Sequence, residues 1–600
     1  MQKLTIDYFP LTTMPSYARI IKNMKTVSTL FFMLIFEVVS AQNIYVDGMS
    51  GNNSNTGTST TAAWKTIQYA MTHANAGNTV YIRGGTYKEV LTLNVSGTTG
   101  NPITFTNYAV EQVYIDGNNL AVTLLSISGK SNIVIRGLIF QNTLGNNSAG
   151  VFIEGSSSNI TFRKNKITNI RWIANASTIP NSNENCNPFV VYGNNASQAI
   201  TNISIDSNEV YNNITGFSES MTLDGNVDGF NITHNLVHDN TNIGILCAGN
   251  YKVSSTPATD HSRNGLVQQN TTYNCTSSYA TSGGIYIDGG QNIIVERNKS
   301  YSNGYGIEIG CEQQGTTSSI TVRDNILFDN QVAGIAIGGY NYPTTGQVLN
   351  CLIENNSLYK NDNTFSGSGE VLISKAGSCM FKNNIVYTNA QNVAISSSYT
   401  TLQGNSFNYN AYYVPTGNSA DLVFSFNTAQ YSGLSIFKSS ASQEASGMFT
   451  DPLFVNTGIT NASTVDLSLQ AGSLCINAGD PAHTIVASEK DYYGFGRITN
   501  TVIDLGAVEF GSVVTAAKSA IQIYTVVAFP NPVSDILTIM YDQDVFVYDL
   551  RIYNNLGEEF FHSNYPNTNN ILNLEAFPKG IYILKITSDK GDNVQKIIKL

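Results

Sequence analysis

Short segments in which apolar and polar residues alternate recur along most of this chain. Many of them share the pattern apolar–x–apolar–x–x–Asn–x–apolar, as in ITFRKNKITN, IIVERNKSYSN and ITVRDNILFDN. The asparagines of this pattern are Asn165, Asn208, Asn235, Asn270, Asn298, Asn325, Asn356, Asn384 and Asn405. Five of the intervals between them are 27, 28, 27, 31 and 28 residues long. This repeat predicts an all-β fold, a right-handed parallel β-helix solenoid whose coils stack about 4.8 Å apart.

The repeated asparagine predicts a column of hydrogen bonds along the solenoid. An asparagine at one bend of every coil can bond to its equivalents above and below, which satisfies buried backbone groups along the stack. The same register places Cys351 and Cys379 at equivalent inward positions of adjacent coils. Either a disulfide or two stacked free thiols is compatible with this spacing.

A second repeated strand brings polar residues to the outside of the predicted solenoid. It occurs in five quartets, at residues 221–224, 245–248, 285–288, 307–310 and 335–338. Because side chains alternate between the two faces of a strand, the second and fourth members of each quartet point outward. The second members are Thr222, Leu246, Tyr286, Glu308 and Ala336, and the fourth members are Asp224, Ala248, Asp288, Gly310 and Gly338.

The N-terminal segment predicts export. Lys22 and Lys25 precede an apolar run over residues 27–39, and Ser40-Ala41 follows, which is the organisation of a secretory signal peptide. Residues 1–41 are therefore expected to be removed, with Met24 as an alternative start of the signal. No other stretch predicts a transmembrane segment.

The composition narrows the class of ligand. Charged residues make up 12% of the chain and the formal net charge is −11. Binding to nucleic acid requires clustered lysine and arginine, so no nucleic-acid partner is expected. A neutral polymer, or an acidic polymer bridged by calcium, remains compatible with this charge. We expect a monomer that acts on a polysaccharide.

The segments before and after the repeats differ from them in sequence pattern. Residues 42–120 predict an N-terminal cap, with a helix over about 63–74 and Trp64 in its core. This opening resembles the start of extracellular β-helix proteins, among them the pectate lyases of the family-nine type. Residues 450–510 resemble the closing segment called choice-of-anchor Q, and its acidic residues are expected to serve turns and caps. The β-helix domain is thus expected to span residues 42–510.

A small separate domain is predicted at the C-terminus. After a linker at 511–526, residues 527–600 alternate strands and turns as in a small Ig-like β-sandwich. Pro530-Asn531-Pro532, Gly580-Ile581-Tyr582 and the terminal Lys596-Ile597-Ile598-Lys599 resemble the type A C-terminal sorting domain of the type IX secretion system of Bacteroidetes. The resemblance implies the type IX machinery as a partner and delivery to the surface or the surroundings of a Gram-negative cell.

Titratable residues gather between residues 215 and 313, which is unusual in this charge-poor chain. The acidic ones include Glu219, Asp224, Asp228, Asp260, Asp288, Glu308 and Glu312. The segment Asn226-Val227-Asp228-Gly229-Phe230 resembles an element near the calcium site of family-nine pectate lyases. The resemblance implies calcium as a cofactor, and we expect its carboxylate ligands to be Asp224, Asp228, Asp260 and Asp288.

The remaining candidate residues would act on or bind a sugar polymer. The expected catalytic residues are Lys252, Arg263 and Glu308, with Lys375 as a further candidate for the base. The expected substrate-binding residues are Tyr286, Trp172, His238 and His261. The insertion at 250–261 should emerge between coils and bring Lys252, Asp260 and His261 over the outward rows.

Three functions are compatible with these residues. The leading hypothesis is a polysaccharide lyase that cleaves an acidic glycan by calcium-assisted β-elimination, as the resemblance implies. The first alternative is a glycoside hydrolase, for which Asp224 and Asp288, two coils or about 9.6 Å apart, stand at the upper limit of the separation in inverting enzymes. Glu308 is an alternative partner in that pair. The second alternative is a surface protein that binds glycans without catalysis, such as an adhesin.

Overall fold

The computed structural model describes residues 42–600 apart from 110, 340–343, 398–402, 485–488, 498–501, 512–525, 542–546, 555–556, 565–570 and 589–590. The predicted signal peptide, including Met24, lies outside the described residues, as does nearly all of the predicted linker. None of the helices in the described part of the chain has the length and apolar character that a bilayer crossing requires.

Three long sheets, which we name A, B and C in the order in which each coil visits them, form the solenoid. Their strands pair in parallel, apart from the last strand of sheet C, Ala429–Ser432, which pairs antiparallel with Val423–Phe426. The strands of sheet A are Asn43–Val46, Thr79–Ile82, Ile103–Asn107, Ser131–Arg136, Ser158–Arg163, Ile200–Asp206, Val227–Thr233, Ser262–Gln268, Gln291–Glu296, Thr316–Arg323, Gln347–Leu349, Leu352–Glu354, Ala376–Gly377, Met380–Lys382 and Ser406–Asn408. The strands of sheet B are Gly85–Tyr87, Val113–Leu120, Ile139–Leu144, Lys166–Arg171, Glu209–Tyr211, Leu236–Thr241, Thr271–Thr276, Lys299–Tyr301, Ile326–Phe328, Ser357–Tyr359, Ile385–Tyr387, Ala411–Tyr413 and Met448–Phe449. The strands of sheet C are Leu91–Leu93, Thr123–Ser128, Ala149–Glu154, Asn187–Gly193, Met221–Gly225, Ile245–Ala248, Gly283–Asp288, Tyr305–Gly310, Ala333–Ile337, Val371–Ile373, Val393–Ser396, Val423–Phe426 and Ala429–Ser432. The predicted parallel β-helix is confirmed.

The core of the solenoid consists of the inward residues of these strands. Isoleucine, valine, leucine and phenylalanine from all three sheets form one continuous buried cluster. At the N-terminal end the helix Ile67–His73 buries Ile67, Ala70 and Met71 against it, and the Thr66 side chain caps the helix by accepting the N–H of Tyr69. Trp64 is buried and its indole N–H donates to Asn55 O, so the predicted cap is confirmed.

The predicted asparagine column exists, with one correction. Each asparagine from Asn165 onward donates its backbone N–H, at 2.8–3.1 Å, and its side-chain amide, at 2.9–3.2 Å, to Oδ1 of the next. The member that follows Asn384 is Asn410, so the prediction of Asn405 is wrong. Ladder asparagines come two residues after a strand of sheet A, whereas Asn405 precedes the strand Ser406–Asn408 and instead accepts from Cys379 N.

A second asparagine ladder lies five residues further along the coils. Asn213 donates to Asn240, and after an interruption at Cys275 the ladder continues through Asn303, Asn330 and Asn361. A buried glutamate terminates each ladder: Glu370 accepts both donors of Asn361, and Glu444 accepts from Asn410. The two glutamates therefore satisfy the donors that the last asparagine of a stack leaves unpaired.

The segment after the last coil packs against the outside of sheet B. Its hairpin, Phe454–Asn456 with Asp466–Leu469, joins an apolar cluster with outward residues of sheet B, and the helix Leu434–Ala441 precedes it. Arg497 is fully buried between Asp324, at 3.5 Å, and Glu509, at 3.4 Å. Four short 3-10 helices, Thr60–Ala62, Pro257–Thr259, Ser419–Asp421 and Ile459–Thr464, complete the helical elements of the described residues.

All seven cysteines are buried and free, so Cys351 and Cys379 are stacked thiols rather than a disulfide. The C-terminal residues form two antiparallel sheets around their own core. One sheet has the strands Val526–Phe529, Ile536–Tyr541 and Ile571–Asn573, and the other has Val547–Asn554, Glu559–Asn564, Gly580–Ser588 and Gly591–Lys599. The Ig-like topology of this domain stays a prediction.

Candidate active-site groove on sheet C

Five consecutive strands of sheet C hold the two outward rows that the sequence predicts. In the second row position Thr222 pairs with Leu246, Leu246 with Tyr286, Tyr286 with Glu308, and Glu308 with Ala336. In the fourth position Ala248 pairs with Asp288, and Asp288 with Gly310. The register is therefore confirmed, because the isoleucines between these positions fix which side chains face inward.

Two cavities lie along these rows and share Glu312. The larger, of about 600 Å³, is lined by Tyr286, Tyr305, Glu308, Ile309, Cys311, Glu312, Gln313, Ala336, Ile337, Gly338, Ser368, Leu372, Ile373 and Ser374. The smaller, of about 350 Å³, is lined by Phe152, Asn187, Val190, Tyr192, Phe217, Ser218, Glu219, Thr222, Asp224, Leu246, Ala248, Tyr251 and Glu312. Together they form what we call the groove. Among the described residues, no lysine, arginine or histidine lines either cavity.

The carboxyl groups of the groove hold their protons more tightly than free carboxyls do. Burial, with repulsion from Glu312, raises the pKa of Asp288 to about 7. Burial also raises the pKa of Asp224 to about 7, with a contribution from the charge of Asp260. The pKa of Glu308 lies well above its usual value because of burial and the nearby Glu312 and Asp288. These groups are therefore protonated to a large extent at neutral pH.

Glu312 differs from its neighbours because it is exposed and lies within hydrogen-bond distance of two tyrosine hydroxyl groups. The Tyr286 hydroxyl lies 3.4 Å from Glu312 Oε1, and the Tyr251 hydroxyl lies 3.3 Å from Glu312 Oε2. The Tyr251 hydroxyl also donates to Asp288 Oδ2, while the backbone N–H of Glu312 donates to Asp288 Oδ1 at 2.8 Å. The Tyr251 hydroxyl therefore lies between a carboxyl oxygen of Asp288 and one of Glu312, and these two oxygens are less than about 6 Å apart.

Of the predicted site residues, Tyr286, Glu308 and Asp224 line the groove, and Asp288 lies beside it on the same strand as Tyr286 without lining either cavity. Asp288 occupies the predicted fourth position of its quartet, but it is almost fully buried, at 1% exposure. Their proposed roles in binding and catalysis stay predictions.

Two predicted calcium ligands are engaged outside the groove floor. Asp228 lies on sheet A, where Arg263 NH2 lies 3.1 Å from its Oδ2 and the amide of Asn264 donates to its Oδ1. Asp260 accepts the backbone N–H of Lys252 at 2.6 Å and that of Ser254 at 2.8 Å, and so holds the insertion together. These contacts occupy the oxygens that a cation would need.

The described residues hold no group of three or more histidine, cysteine, aspartate or glutamate side chains placed to bind one metal ion. Calcium usually takes six to eight oxygens, several of them from carboxylates. Asp224 and Asp288 alone, on strands separated by the strand Ile245–Ala248, do not supply such a set. The residues present therefore do not fit the predicted calcium site as a unit.

The remaining predicted residues are scattered. Lys252 is exposed on the insertion, and the Arg263 side chain pairs with Asp228 on sheet A. His261 is 8% exposed, and burial lowers the pKa of its ring. Trp172 is 8% exposed in the solenoid core cluster, and His238 lies on sheet B in a stack of rings between Tyr211 and Tyr273. Neither Trp172 nor His238 lines the groove.

Sequence reasoning gave no role to Tyr251, Glu219 or Glu312, which the groove brings together. The insertion does come over the outward rows, but it delivers the hydroxyl of Tyr251 rather than the groups of Lys252, Asp260 and His261. The sequence feature that could have identified two of these residues is their position just after a quartet. Tyr251 comes three residues after the quartet that ends at Ala248, and Glu312 comes two residues after the quartet that ends at Gly310.

Comparisons with known proteins agree with this architecture. Residues 44–398 match the family model described as Pel9A-like, right handed beta helix region. Residues 527–600 match the model of a secretion system C-terminal sorting domain, so the protein is exported to the cell surface or beyond by the type IX machinery.

Individual relatives cover different shares of the chain. The uncharacterized protein YwoF of Bacillus subtilis (strain 168) is 33% identical over 433 residues, which are 69% of this chain and 89% of YwoF. Pectate lyase PEL9 of Emericella nidulans is 32% identical over 154 residues, 23% of this chain and 37% of that enzyme. Among solved structures, pectate lyase Pel9A has a TM-score of 0.40 at 15% identity, covering 78% of this chain and 96% of its own. The complex of XylC with xylose has a TM-score of 0.40 at 9% identity, covering 69% and 87%.

Proposed function

The chain belongs to the Pel9A-like right-handed β-helix family, and from this premise we propose that its groove hydrolyses glycosidic bonds of a polysaccharide outside the cell. One observation carries the proposal. Glu308 and Glu312 line the same cavity, but desolvation raises the pKa of the partly buried Glu308 well above its usual value, whereas Glu312 is exposed and lies within hydrogen-bond distance of two tyrosine hydroxyl groups. Two carboxyl groups in contrasting surroundings are what glycoside hydrolysis requires.

Each carboxyl group has one task in the proposed reaction. Glu308 donates its proton to the glycosidic oxygen as the bond to the anomeric carbon breaks, and the leaving sugar departs with a new hydroxyl group. Glu312 has one of two roles. It either acts as the base that takes a proton from the attacking water, or it attacks the anomeric carbon as a nucleophile that water later displaces. In both cases one water is consumed, and its hydroxyl ends on the anomeric carbon.

Asp288, Tyr251 and Tyr286 are positioning residues for Glu312. Asp288 accepts the backbone N–H of Glu312, and the hydroxyl of Tyr251 joins the two carboxyl groups. Tyr286 lies beside the other carboxyl oxygen. One contact thus holds the backbone of Glu312 and two hold its otherwise exposed side chain, which is how a site limits the entropy lost during the reaction.

A calcium-assisted β-elimination on an acidic glycan is the second candidate. The match to the Pel9A-like model and to a pectate lyase over 154 residues favours it. Under this candidate, calcium would offset the charge of a substrate carboxylate, and a base such as Lys252 or Arg263 would remove the proton. Arg263 is paired with Asp228, however, and in the part of the chain that the structure describes no lysine or arginine lines the groove.

The two candidates leave different products. The mature protein is incubated with neutral and uronate-containing polysaccharides, with and without a calcium chelator, and reducing ends and absorbance near ~232 nm are followed. We expect reducing ends without the unsaturated product and no effect of the chelator. An unsaturated product that disappears on chelation would replace hydrolysis by elimination, and no cleavage of any polymer would refute both.

Two substitutions test the roles proposed for the carboxyl groups of Glu308 and Glu312. We expect Glu308→Gln and Glu312→Gln each to lower kcat by roughly 10²–10⁴-fold while the fold is retained. Glu154→Gln is the matched control, because Glu154 stands in an outward position of sheet C but lines neither cavity. An equal loss in the control variant would show that charge on sheet C, rather than these two groups, determines activity.

A further inference from the structure

The smaller cavity shares Glu312 and Tyr251 with the proposed reaction, and its remaining walls have the features of a binding site. We propose that it is a subsite for an uncharged sugar residue of the glycan, whose hydroxyl groups are bound by Glu219 and Asp224. This inference rests on the proposed function and specifies its substrate class: a glycan that is neutral at the residue next to the scissile bond.

The walls of this cavity are aromatic and apolar. Phe152 and Tyr192 face it with ring centroids 5.9 Å apart, and Phe217 closes another side with its ring 5.3 Å from that of Tyr279. Phe217 is 44% exposed, so part of its ring is open to a ligand. Sugar rings present C–H faces that pack on such rings, and a few polar groups between them then fix the orientation of the sugar.

The floor of the cavity supplies those polar groups. Glu219 Oε2 accepts the hydroxyl of Thr222 at 3.0 Å, which leaves the other oxygen of the carboxyl group for a ligand. Asp224 Oδ1 is buried and has no hydrogen-bond partner within the described residues. An unpaired buried acceptor is costly, and a sugar hydroxyl that donates to it would remove that cost on binding.

This cavity disfavours an anionic sugar. Burial, with repulsion from Asp224, Glu312 and Asp288, raises the pKa of Glu219 to about 8, so the cavity already penalises a negative charge on its own carboxyl groups. A uronate carboxylate in the same space would be desolvated in the same way, and among the described residues no lysine, arginine or histidine lines the cavity to offset its charge. A bridging cation has no set of three ligating side chains among the described residues. A neutral sugar avoids each of these costs.

Matched ligands test this directly. Binding of the full-length mature Glu308→Gln protein is measured by calorimetry with oligogalacturonate and with its methyl ester, which differ only in the charge of each residue. Neutral pentose and hexose oligosaccharides are measured beside them. We expect any ligand that binds to be neutral, and the ester to bind at least about tenfold more tightly than the uronate if either binds.

Two variants test whether the preference for a neutral ligand arises in this cavity. Asp224→Asn and Phe217→Ala should each weaken binding of the neutral ligand by roughly tenfold. Phe560→Ala, which truncates an exposed phenylalanine of the sorting domain, should leave it unchanged. If both groove variants fold as the parent does by circular dichroism and bind as tightly as it does, the subsite is elsewhere and the inference is wrong.

The outcomes separate the inference from the proposed function. Tighter binding of the uronate, with hydrolysis by the unmodified protein intact, would overturn the neutral subsite and leave hydrolysis standing. Neutral binding without hydrolysis of any polymer would overturn the enzymatic proposal and leave the subsite standing. No binding of any ligand in the set would overturn the inference.

Discussion

Two stacks of polar side chains follow the same coils of this solenoid and differ in their chemistry. The asparagine ladders lie inside the bends, where each side chain accepts two hydrogen bonds and donates to the next. The groove on sheet C holds carboxyl groups, of which Asp224 keeps a buried oxygen without a partner. An amide carries both donors and an acceptor, so it can repeat along a stack, whereas ionised carboxylates only accept and repel one another.

The difference indicates which stack serves the fold and which serves the chemistry. The ladders are satisfied along their length and end at Glu370 and Glu444, which pair the last donors. The groove carboxyls are desolvated, and the pKa values of Asp224 and Asp288 are raised to about 7. Strongly perturbed carboxyl groups in a concave site are typical of functional sites. Substitution should therefore destabilise the fold in the ladders and impair function in the groove.

The largest expected effect on stability is in the middle of a ladder. Asn298→Ala removes the acceptor of both Asn270 donors and the donor to Asn325, so buried polar groups of two neighbouring coils lose their partners. We expect the free energy of unfolding to fall by roughly 3 kcal/mol. Denaturant unfolding measures it, with the exposed Asn101→Ala as control. A loss no larger than that of the control would contradict a structural role of the ladder.

A smaller loss of stability is expected at the end of a ladder. Glu370→Ala leaves the backbone and side-chain donors of Asn361 unpaired, but no further asparagine depends on it. We expect a decrease of about 2 kcal/mol, less than in the middle of the stack. The same unfolding measurement tests the order of the two variants, and a reversed order would show that the terminal glutamate does more than pair donors.

The smallest expected effect on stability is a gain rather than a loss, and it concerns Glu219 in the groove. The pKa of Glu219 is raised by burial to about 8 in the folded protein. Between its unfolded value near ~4.3 and this folded value, the unfolded chain releases the proton first, so stability falls as pH rises. Glu219→Gln removes this loss, and between pH 5 and pH 6 the unfolding free energy should decline by about 1 kcal/mol less than in the parent. An unchanged slope in the variant would mean that Glu219 titrates alike in both states.

The sequence predicts the framework of the groove better than its contents. Asn208, Asn235 and the quartets ending at Asp224 and Asp288 establish the coils and the outward rows, because the two-residue period fixes which side chains face out. The second ladder was visible as an asparagine five residues after the first. The contacts of Tyr251 were not predictable, since they depend on the path of an insertion that follows no repeat. Asp228 illustrates the converse, because a short motif identified the residue but not its partner Arg263.

Infrared difference spectroscopy of the parent protein and Glu308→Gln at pH 7 tests the central claim most directly, which is that the groove holds Glu308 protonated as the acid opposite Glu312. The parent should show the carbonyl band of a protonated carboxyl group that the variant lacks, and this band should persist as the pH is raised above 7. A difference spectrum that shows only the bands of an ionised carboxylate at pH 7 would contradict the assignment of Glu308 as the proton donor.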